Sequence, residues 1–218
     1  MRCRCLVLDH DDTVVASTAT IHFPSFCAYL EQVRPGVRYT LEEYLRKNFD
    51  PGILPLFTEE LGFSEEELHN EFLFWQDYVK DRIPAVFPGI REILEQYRQQ
   101  GGIITVVSHS VSDTIRRDYR ENRLPMPDRI FGWELPPEQR KPSAYALERI
   151  MAEFSLRPEE LLVLDDLKPG YDMAQLCGVP FAAAGWAYDV PEIEAFMRQN
   201  CGCYFKTVAD FGKFLLDD

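Results

Sequence analysis

The chain has 218 residues, 46% of them hydrophobic, which is enough to bury a core as one large domain or one domain with a smaller insert. Its formal net charge of -13 and pI near 4.8 disfavour nucleic acid and anionic membranes as partners, because both require clustered Lys and Arg. No apolar run reaches the roughly 18 residues of a membrane helix, and the N-terminal apolar stretch is too short for a signal peptide. We therefore expect a cytoplasmic protein, either a monomer or a homodimer, that binds neither nucleic acid nor membrane.

Apolar runs alternate along the chain with segments of helical period. The runs predict five buried strands: CLVL (5–8), GIITVVS (102–108), ELLVL (160–164), PFAAAG (180–185) and CYFKTV (203–208). The helical segments include GIREILEQYRQQ (89–100), SDTIRRDYREN (112–122), SAYALERIMAEF (143–154) and GYDMAQLCG (170–178). This alternation predicts an α/β fold with a doubly wound parallel sheet, in which ligands bind outside the carboxyl ends of the strands.

One long stretch interrupts the alternation, because it shows helical period and no convincing strand. Small, loose residues lead into it, and a segment rich in proline leads out of it, so both ends are candidate hinges. We therefore predict two domains, an α/β catalytic core formed by residues 1–15 and 86–218 and a small all-helical cap formed by residues 16–85.

Two clusters of acids follow predicted strands. The first is DHDDT (9–13), in which Asp9 and Asp11 are spaced i and i+2, so that one carboxylate can act as a nucleophile and the other as a proton carrier. The second is the pair Asp165 and Asp166. Carboxylates at adjacent strand ends repel one another unless a cation compensates them, and oxygen ligands without paired His or Cys favour Mg²⁺. Magnesium in turn indicates a phosphorylated substrate.

A phosphate group also requires donors. Ser108 ends the run TVVSHS, where its hydroxyl and the following backbone N–H groups are suited to bind an anion, although serine there is often only a helix cap. Lys141 precedes a helix opened by proline, where a lone lysine is ordinarily solvated. Its functional interpretation comes only from the complete set.

In order and spacing, these motifs resemble the haloacid dehalogenase superfamily, in particular its phosphoglycolate phosphatase-like members with a helical cap inserted after the first motif. The resemblance runs nearly end to end. The four motifs are LVLDHDDTVV (6–15), TVVSHS (105–110), RKPSAYAL (140–147) and LLVLDDLKPGYDMAQLCG (161–178), and FPGIREILEQYRQQGG (87–102) is similar to the stretch that leads into the second. Asp-x-Asp alone is a weak signal, whereas four motifs in this order are a strong one.

The resemblance implies that Asp9 attacks phosphorus and forms an aspartyl-phosphate. Asp11 would protonate the leaving alcohol and then activate water. Dehalogenase members lack an acid at the position of Asp11, so its presence favours phosphate esters.

The resemblance also implies a metal site and a phosphate site. Mg²⁺ would be held by Asp9, the backbone carbonyl of Asp11, and one acid of the late pair. Alignment on the glycines makes Asp166 the metal ligand and Asp165 its neighbouring support. The remaining implied roles are phosphoryl binding by Ser108, charge balance by Lys141 and a substrate contact by His109, the position where the family frequently has asparagine.

Two other departures from the family pattern lie in the first motif. Asp12 stands where many members have glycine. His10 lies between the two catalytic acids, where it is capable of titrating near neutrality, but we favour a core or surface role for it.

Alternatives to a phosphatase remain open from sequence. A phosphomutase of the same fold would pass its phosphoryl group to a second hydroxyl instead of water. A receiver-type signalling module also uses an acid cluster, but its acceptor aspartate ends the third strand rather than the first. Specificity is expected in the cap, where the candidates to meet a second anionic group are Arg38, Arg46, Lys47, Lys80 and Arg82, each expected more strongly to be solvated.

The six cysteines are expected to be small core residues rather than disulfide partners. Cys3 with Cys5 and Cys201 with Cys203 together offer four thiols, but their i, i+2 spacing does not fit the usual zinc knuckle. We favour packing over a structural metal for both pairs.

Overall fold

Six parallel strands form the central sheet of the protein. The computed structural model describes residues 2–217, and in this range the strands are β1 (Cys5–Leu8), β2 (Val15–Ala16), β3 (Ala85–Val86), β4 (Ile103–Val107), β5 (Arg129–Phe131), β6 (Leu161–Asp165), β7 (Phe181–Ala184) and β8 (Cys203–Phe205). The sheet has the order β5-β4-β1-β6-β7-β8, and every neighbouring pair in it is parallel. The predicted doubly wound α/β fold is therefore confirmed.

Helices follow the strands in the order expected of this fold. In the described range they are α1 (Phe23–Val33), α2 (Leu41–Phe49), α3 (Ile53–Pro55), α4 (Glu65–Val79), α5 (Ile90–Gln99), α6 (Ser112–Glu121), α7 (Tyr145–Phe154), α8 (Lys168–Cys177), α9 (Pro191–Asn200) and α10 (Val208–Leu216). None of these helices combines the length and the apolar composition that a membrane span requires.

The core of the sheet is centred on β1, all four residues of which are buried. This strand lies between β4 and β6, and apolar side chains of α5 and α10 pack in the same hydrophobic cluster as those of β1. Both faces of such a strand are buried, so its residues do not alternate between apolar and polar, and the sequence of β1 is continuously apolar. The same reasoning applies to β6 and β7, which are also fully buried.

Within residues 2–217, the structure contains three short strands that the sequence pattern did not indicate. The edge strand β5 has three residues, begins with Arg129 and has no buried residue, so it carries no apolar run. The pair β2 and β3 has two residues in each strand and forms an antiparallel ribbon at the two borders of the predicted insert. Such short strands are determined by contacts with neighbouring parts of the fold rather than by the hydrophobic pattern of their own residues.

The chain divides into two compact units, one formed by residues 1–16 and 85–218 and the other by residues 17–84. Every regular element that the structure describes within 17–84 is helical. Reciprocal side-chain and backbone hydrogen bonds between Thr40 and Glu43 begin α2, and the same arrangement between Ser64 and Glu67 begins α4. This unit has an aromatic core of its own that includes Phe26, Tyr29, Tyr44, Phe57 and Phe63. Its role as a cap over an active site stays a prediction.

Replacement of a core leucine tests this description of the packing. Leu94 of α5 is buried in the main cluster, whereas Leu176 of α8 is 68% exposed. We expect Leu94→Ala to lower the free energy of unfolding by about 2–5 kcal/mol, because it leaves a cavity. Leu176→Ala should change it by less than about 0.5 kcal/mol. Urea denaturation measures both, and equal effects of the two substitutions would contradict the assigned core.

Candidate active site

Three adjacent strands bring the predicted site residues to one edge of the sheet. Leu8, the last residue of β1, pairs with Val106 of β4 and with Leu164 of β6. The next residue, Asp9, donates its backbone N–H to the carbonyl of Leu164 at 2.9 Å. Because the carboxyl ends of parallel strands coincide, the residues that follow β1, β4 and β6 share this edge.

A buried lysine joins two of the acids at this edge. The Nζ atom of Lys141 lies 2.7 Å from Oδ1 of Asp9 and 2.7 Å from Oδ2 of Asp165. Its side chain is only 5% exposed. Burial favours the neutral amine, but the carboxylates of Asp165 and Asp9 outweigh it and raise the pKa of Lys141. Lys141 is therefore charged at neutral pH and compensates both acids.

Asp9, Asp165 and Asp166 form a tight group of buried carboxylates. Each offers one oxygen, and these three oxygens lie within 4.8 Å of one another. Burial is the largest of the causes that raise the pKa of Asp9 to about 7. The charge of Lys141 opposes this increase, and the negative charges of Asp165 and Asp11 add to it. The pKa of Asp166 is also raised, mainly by burial and in addition by the negative charges of Asp9 and Asp165. One lysine does not balance three acids, so the group fits a divalent cation that prefers oxygen ligands.

Asp166 is oriented by two hydroxyl groups. Thr13 donates from Oγ1 to Oδ1 of Asp166 at 3.2 Å, and the Tyr188 hydroxyl lies 3.0 Å from Oδ2. Trp186 in turn donates from Nε1 to the backbone carbonyl of Thr13 at 3.2 Å. Thr13 lies within the first motif but had no predicted role. Tyr188 was not predicted as a site residue, because it follows β7 and belongs to none of the four motifs.

Asp165 fits its place because Gly170 has no side chain. A Cβ atom at Gly170 would lie 2.1 Å from Oδ2 of Asp165, which is the oxygen bound to Lys141. The other oxygen of Asp165 accepts the backbone N–H of Leu167 at 2.9 Å. Asp165 is thus fixed on both oxygens, and its supporting position beside a metal ligand stays a prediction.

The carboxylate of Asp11 is bound by a serine that follows β4. Its Oδ2 accepts the hydroxyl of Ser110 at 2.6 Å, and the backbone N–H of Ser110 donates to Oγ of Ser108 at 3.1 Å. The carboxylate of Asp11 is not part of the three-acid group, although its charge contributes to the raised pKa of Asp9. Ser110 therefore links Ser108 to Asp11.

The loop residue Asp12 has a left-handed backbone conformation, with φ of 57°. Its N–H donates to the carbonyl of Val15 at 2.7 Å, which closes a tight turn. Glycine adopts this conformation at little cost, and aspartate is one of the few other residues that tolerate it. The turn therefore accounts for both residue types at this position.

His109 packs beside the lysine loop. Its Nε2 atom donates to the backbone carbonyl of Lys141 at 3.1 Å, and its ring meets the Trp133 ring edge to face. Burial, assisted by the charge of Lys141, lowers the pKa of His109 to about 4. His109 is therefore neutral at pH 7, and its observed contact is with the loop of Lys141.

The six cysteines are all free, as expected. In the described part of the chain, the cluster suited to a metal contains carboxylates and no thiol. A packing role for the cysteines stays the favoured interpretation.

Residues 6–184 match the family described as haloacid dehalogenase-like hydrolase. The chain belongs to this family. The resemblance recognised in the four motifs is thereby confirmed for most of the chain. No curated protein sequence matches it significantly.

Solved structures of the haloacid dehalogenase-like fold superimpose on nearly the whole chain. A predicted phosphatase from Clostridium acetobutylicum has a TM-score of 0.79 and 18% identity, with 100% of both chains covered. A predicted phosphoglycolate phosphatase from Haemophilus somnus has a TM-score of 0.72 and 19% identity, with 98% of both chains covered. A CbbY variant from Rhodobacter sphaeroides, in complex with xylulose-1,5-bisphosphate, has a TM-score of 0.73 and 15% identity, with 99% of this chain and 100% of that chain covered. At such identities the likeness shows the shared fold.

A methyl group at Gly170 tests the packing of the acid group. We expect Gly170→Ala to lower the free energy of unfolding by about 1–3 kcal/mol, because the new Cβ displaces Asp165 from Lys141. Gly202→Ala is the matched control, since no atom lies within 4 Å of its added Cβ. Chemical denaturation measures both variants. A Gly170→Ala protein as stable as the control would show that the close approach to Asp165 is not required.

Proposed function

We propose that the protein is a Mg²⁺-dependent phosphatase that hydrolyses a small phosphorylated metabolite through an aspartyl-phosphate. The observation that carries this proposal is the buried group of Asp9, Asp165 and Asp166 with Lys141 bound to two of its acids. Such a group is electrostatically incomplete without a cation, and a phosphoryl group adds the negative charge that a cation and a lysine together balance.

Asp9 is the proposed nucleophile. Its carboxylate attacks phosphorus, the bond to the leaving oxygen breaks, and that oxygen takes a proton from Asp11. Asp11 then removes a proton from water, the water oxygen attacks phosphorus, and the bond to Asp9 breaks to release inorganic phosphate. The hydrogen bond from Ser110 holds the carboxylate of Asp11 near the nucleophile without placing it in the acid group.

The residues present fit a magnesium site. Asp9, Asp166 and the backbone carbonyl of Asp11 would hold the ion, and Asp165 would support the arrangement through Lys141. When bound, Mg²⁺ supplies positive charge that offsets the repulsion between the nucleophile and the phosphoryl oxygens. The hydrogen bonds from Thr13 and Tyr188 fix the orientation of Asp166 for this purpose.

Two further residues are assigned to the phosphoryl group. Ser108 binds it through its hydroxyl, and Lys141 lies against Asp9 to balance the charge that develops between nucleophile and substrate. His109 is assigned to the same side of the site as a neutral residue that contacts the lysine loop.

A small phosphorylated metabolite is the proposed substrate class, as in the CbbY structure that holds a phosphorylated sugar. The cap cations considered for a second anionic group each have a partner within 17–84. Arg38 pairs with Glu31, Arg46 with Glu42, Lys47 with Glu60 and Lys80 with Asp77, and Arg82 lies over the ring of Tyr78. Such pairs are typical of a solvated helical surface. We therefore do not require a second phosphate in the substrate.

Hydrolysis of an aryl phosphate tests the proposal. We expect Mg²⁺-dependent turnover that chelation abolishes and that Asp9→Asn lowers by roughly three orders of magnitude or more, because the nucleophile is lost. Asp189→Asn, whose side chain is 85% exposed, is the control and should keep the wild-type rate. Full turnover in chelator, or an unchanged rate in Asp9→Asn, would contradict the proposal. Quantification of released phosphate distinguishes hydrolysis from transfer to a second hydroxyl.

The proton carrier has a separate test. We expect Asp11→Asn to lower kcat by about 10²- to 10⁴-fold, because the leaving oxygen and the attacking water both lose their acid or base. If hydrolysis of the aspartyl-phosphate becomes slower than its formation, the Asp11→Asn protein should accumulate in the form phosphorylated on Asp9. Mass spectrometry of acid-quenched samples measures it, and an unaffected steady-state rate would remove Asp11 from this role.

A further inference from the structure

His10 is a fully buried histidine between the two proposed catalytic acids. Its Nε2 atom lies 3.1 Å from Oδ2 of Asp118, which is 2% exposed and lies on α6. A carboxylate oxygen only accepts, so Nε2 carries the proton and donates. The other oxygen of Asp118 accepts two hydrogen bonds from Arg117, at 2.9 and 2.7 Å.

The ring of His10 has one polar anchor. Its Nδ1 atom is buried without a hydrogen-bond partner in the described part of the chain, and so is the hydroxyl of Tyr119, whose ring stacks against His10 at 5.8 Å between centroids. Burial and the charge of Asp9 raise the pKa of Tyr119, which places this pair of rings within electrostatic range of the nucleophile. The orientation of the His10 ring thus depends on Asp118.

The pair of His10 and Asp118 is buried beside apolar core residues of the same two segments. Leu8 of β1 and Ile115 of α6 belong to the hydrophobic core, and loss of the His10 donor would leave Oδ2 of Asp118 buried without the hydrogen bond that it now accepts. A buried hydrogen-bonded pair contributes little net stability, but it defines one geometry, because other arrangements leave its groups unsatisfied. The pair is therefore better suited to orienting the loop than to stabilising the fold.

The loop that His10 anchors carries both acids. The carbonyl of His10 accepts the N–H groups of Val14 and Val15, at 3.0 and 3.1 Å, so the main chain of His10 is fixed on the loop side while its ring is fixed on α6. The segment leading into α6 also holds Asp11 through the hydroxyl of Ser110. The acid loop is consequently tied to the α6 segment at two points.

We propose that the hydrogen bond between His10 and Asp118 is a positioning element of the active site. It fixes the position of the main chain between Asp9 and Asp11 relative to α6, so that the nucleophile and the proton carrier reach the same phosphoryl group. His10 contacts no reacting atom in this role. The inference rests on the proposed function, and it adds a positioning pair to that function.

Substitutions on both sides of the bond test the pair. We expect His10→Phe, which keeps the stacked ring but loses the bond, to lower kcat about 10- to 100-fold while KM changes less than about threefold, because small displacements of reacting groups have effects of this size. Asp118→Asn should lower kcat in the same direction. His10→Gln retains a donor and should recover part of the loss. Asp113→Asn, on the same helix with a side chain that is 92% exposed, should keep the wild-type kcat.

A purely structural role gives a different result. If His10→Phe lowers the melting temperature but keeps kcat at a temperature where it is folded, the positioning role is wrong. If His10→Phe does not fold, Asp118→Asn and His10→Gln decide the question by the same comparison.

Measurements without turnover separate this inference from the proposed function. Long-range ¹H–¹⁵N spectra should show His10 as the Nε2–H tautomer, and calorimetry should show Mg²⁺ binding at least fivefold weaker in His10→Phe than in the wild type. Absence of any phosphatase activity in the wild type would overturn the proposed function alone. An Nδ1–H tautomer, or equal Mg²⁺ affinity in the two proteins, would overturn the positioning pair.

Discussion

The contact between Lys141 and the two acids Asp9 and Asp165 is the interaction on which the site depends. Three buried carboxylates whose oxygens lie within 4.8 Å of one another repel strongly. The ammonium group of Lys141, at 2.7 Å from two of them, offsets part of this repulsion. Lys141 is separated by 132 residues from Asp9 and by 24 residues from Asp165, so the contact also joins distant parts of the chain. The residual negative charge left after this pairing favours a bound cation.

The sheet explains why these residues meet and why much of the site could be predicted from sequence. Parallel strands buried on both faces read as uninterrupted apolar runs, and the acids of the site stand where two such runs end. β1 and β6 were predicted nearly residue by residue for this reason. Lys141 carries no comparable local signal, because a lysine before a helix is ordinarily solvated. It was assigned only through the order of the four motifs.

Other features could not be read from local pattern, because they depend on neighbours brought together by the fold. The Tyr188 hydroxyl reaches Asp166 across 22 residues, and His10 reaches Asp118 across 108. The sequence favoured a core or surface role for His10, and the structure gives it a core position with a charged partner. β5 was missed because a short, half-exposed edge strand needs no apolar run. The contacts made by Tyr188 and His10 orient the acidic segments of the site, whereas the acids themselves were predicted from the sequence.

The proposed function requires that Asp9 and Asp166 share one divalent cation at the edge of the sheet. Anomalous diffraction from a crystal soaked in Mn²⁺ tests it most directly, since Mn²⁺ accepts the same oxygen ligands as Mg²⁺ and can be located by its own signal. We expect one strong peak within bonding distance of carboxylate oxygens of both Asp9 and Asp166, and we expect this peak to be absent in Asp166→Asn. Peaks found only elsewhere on the protein, with Asp9 and Asp166 unbound, would contradict it.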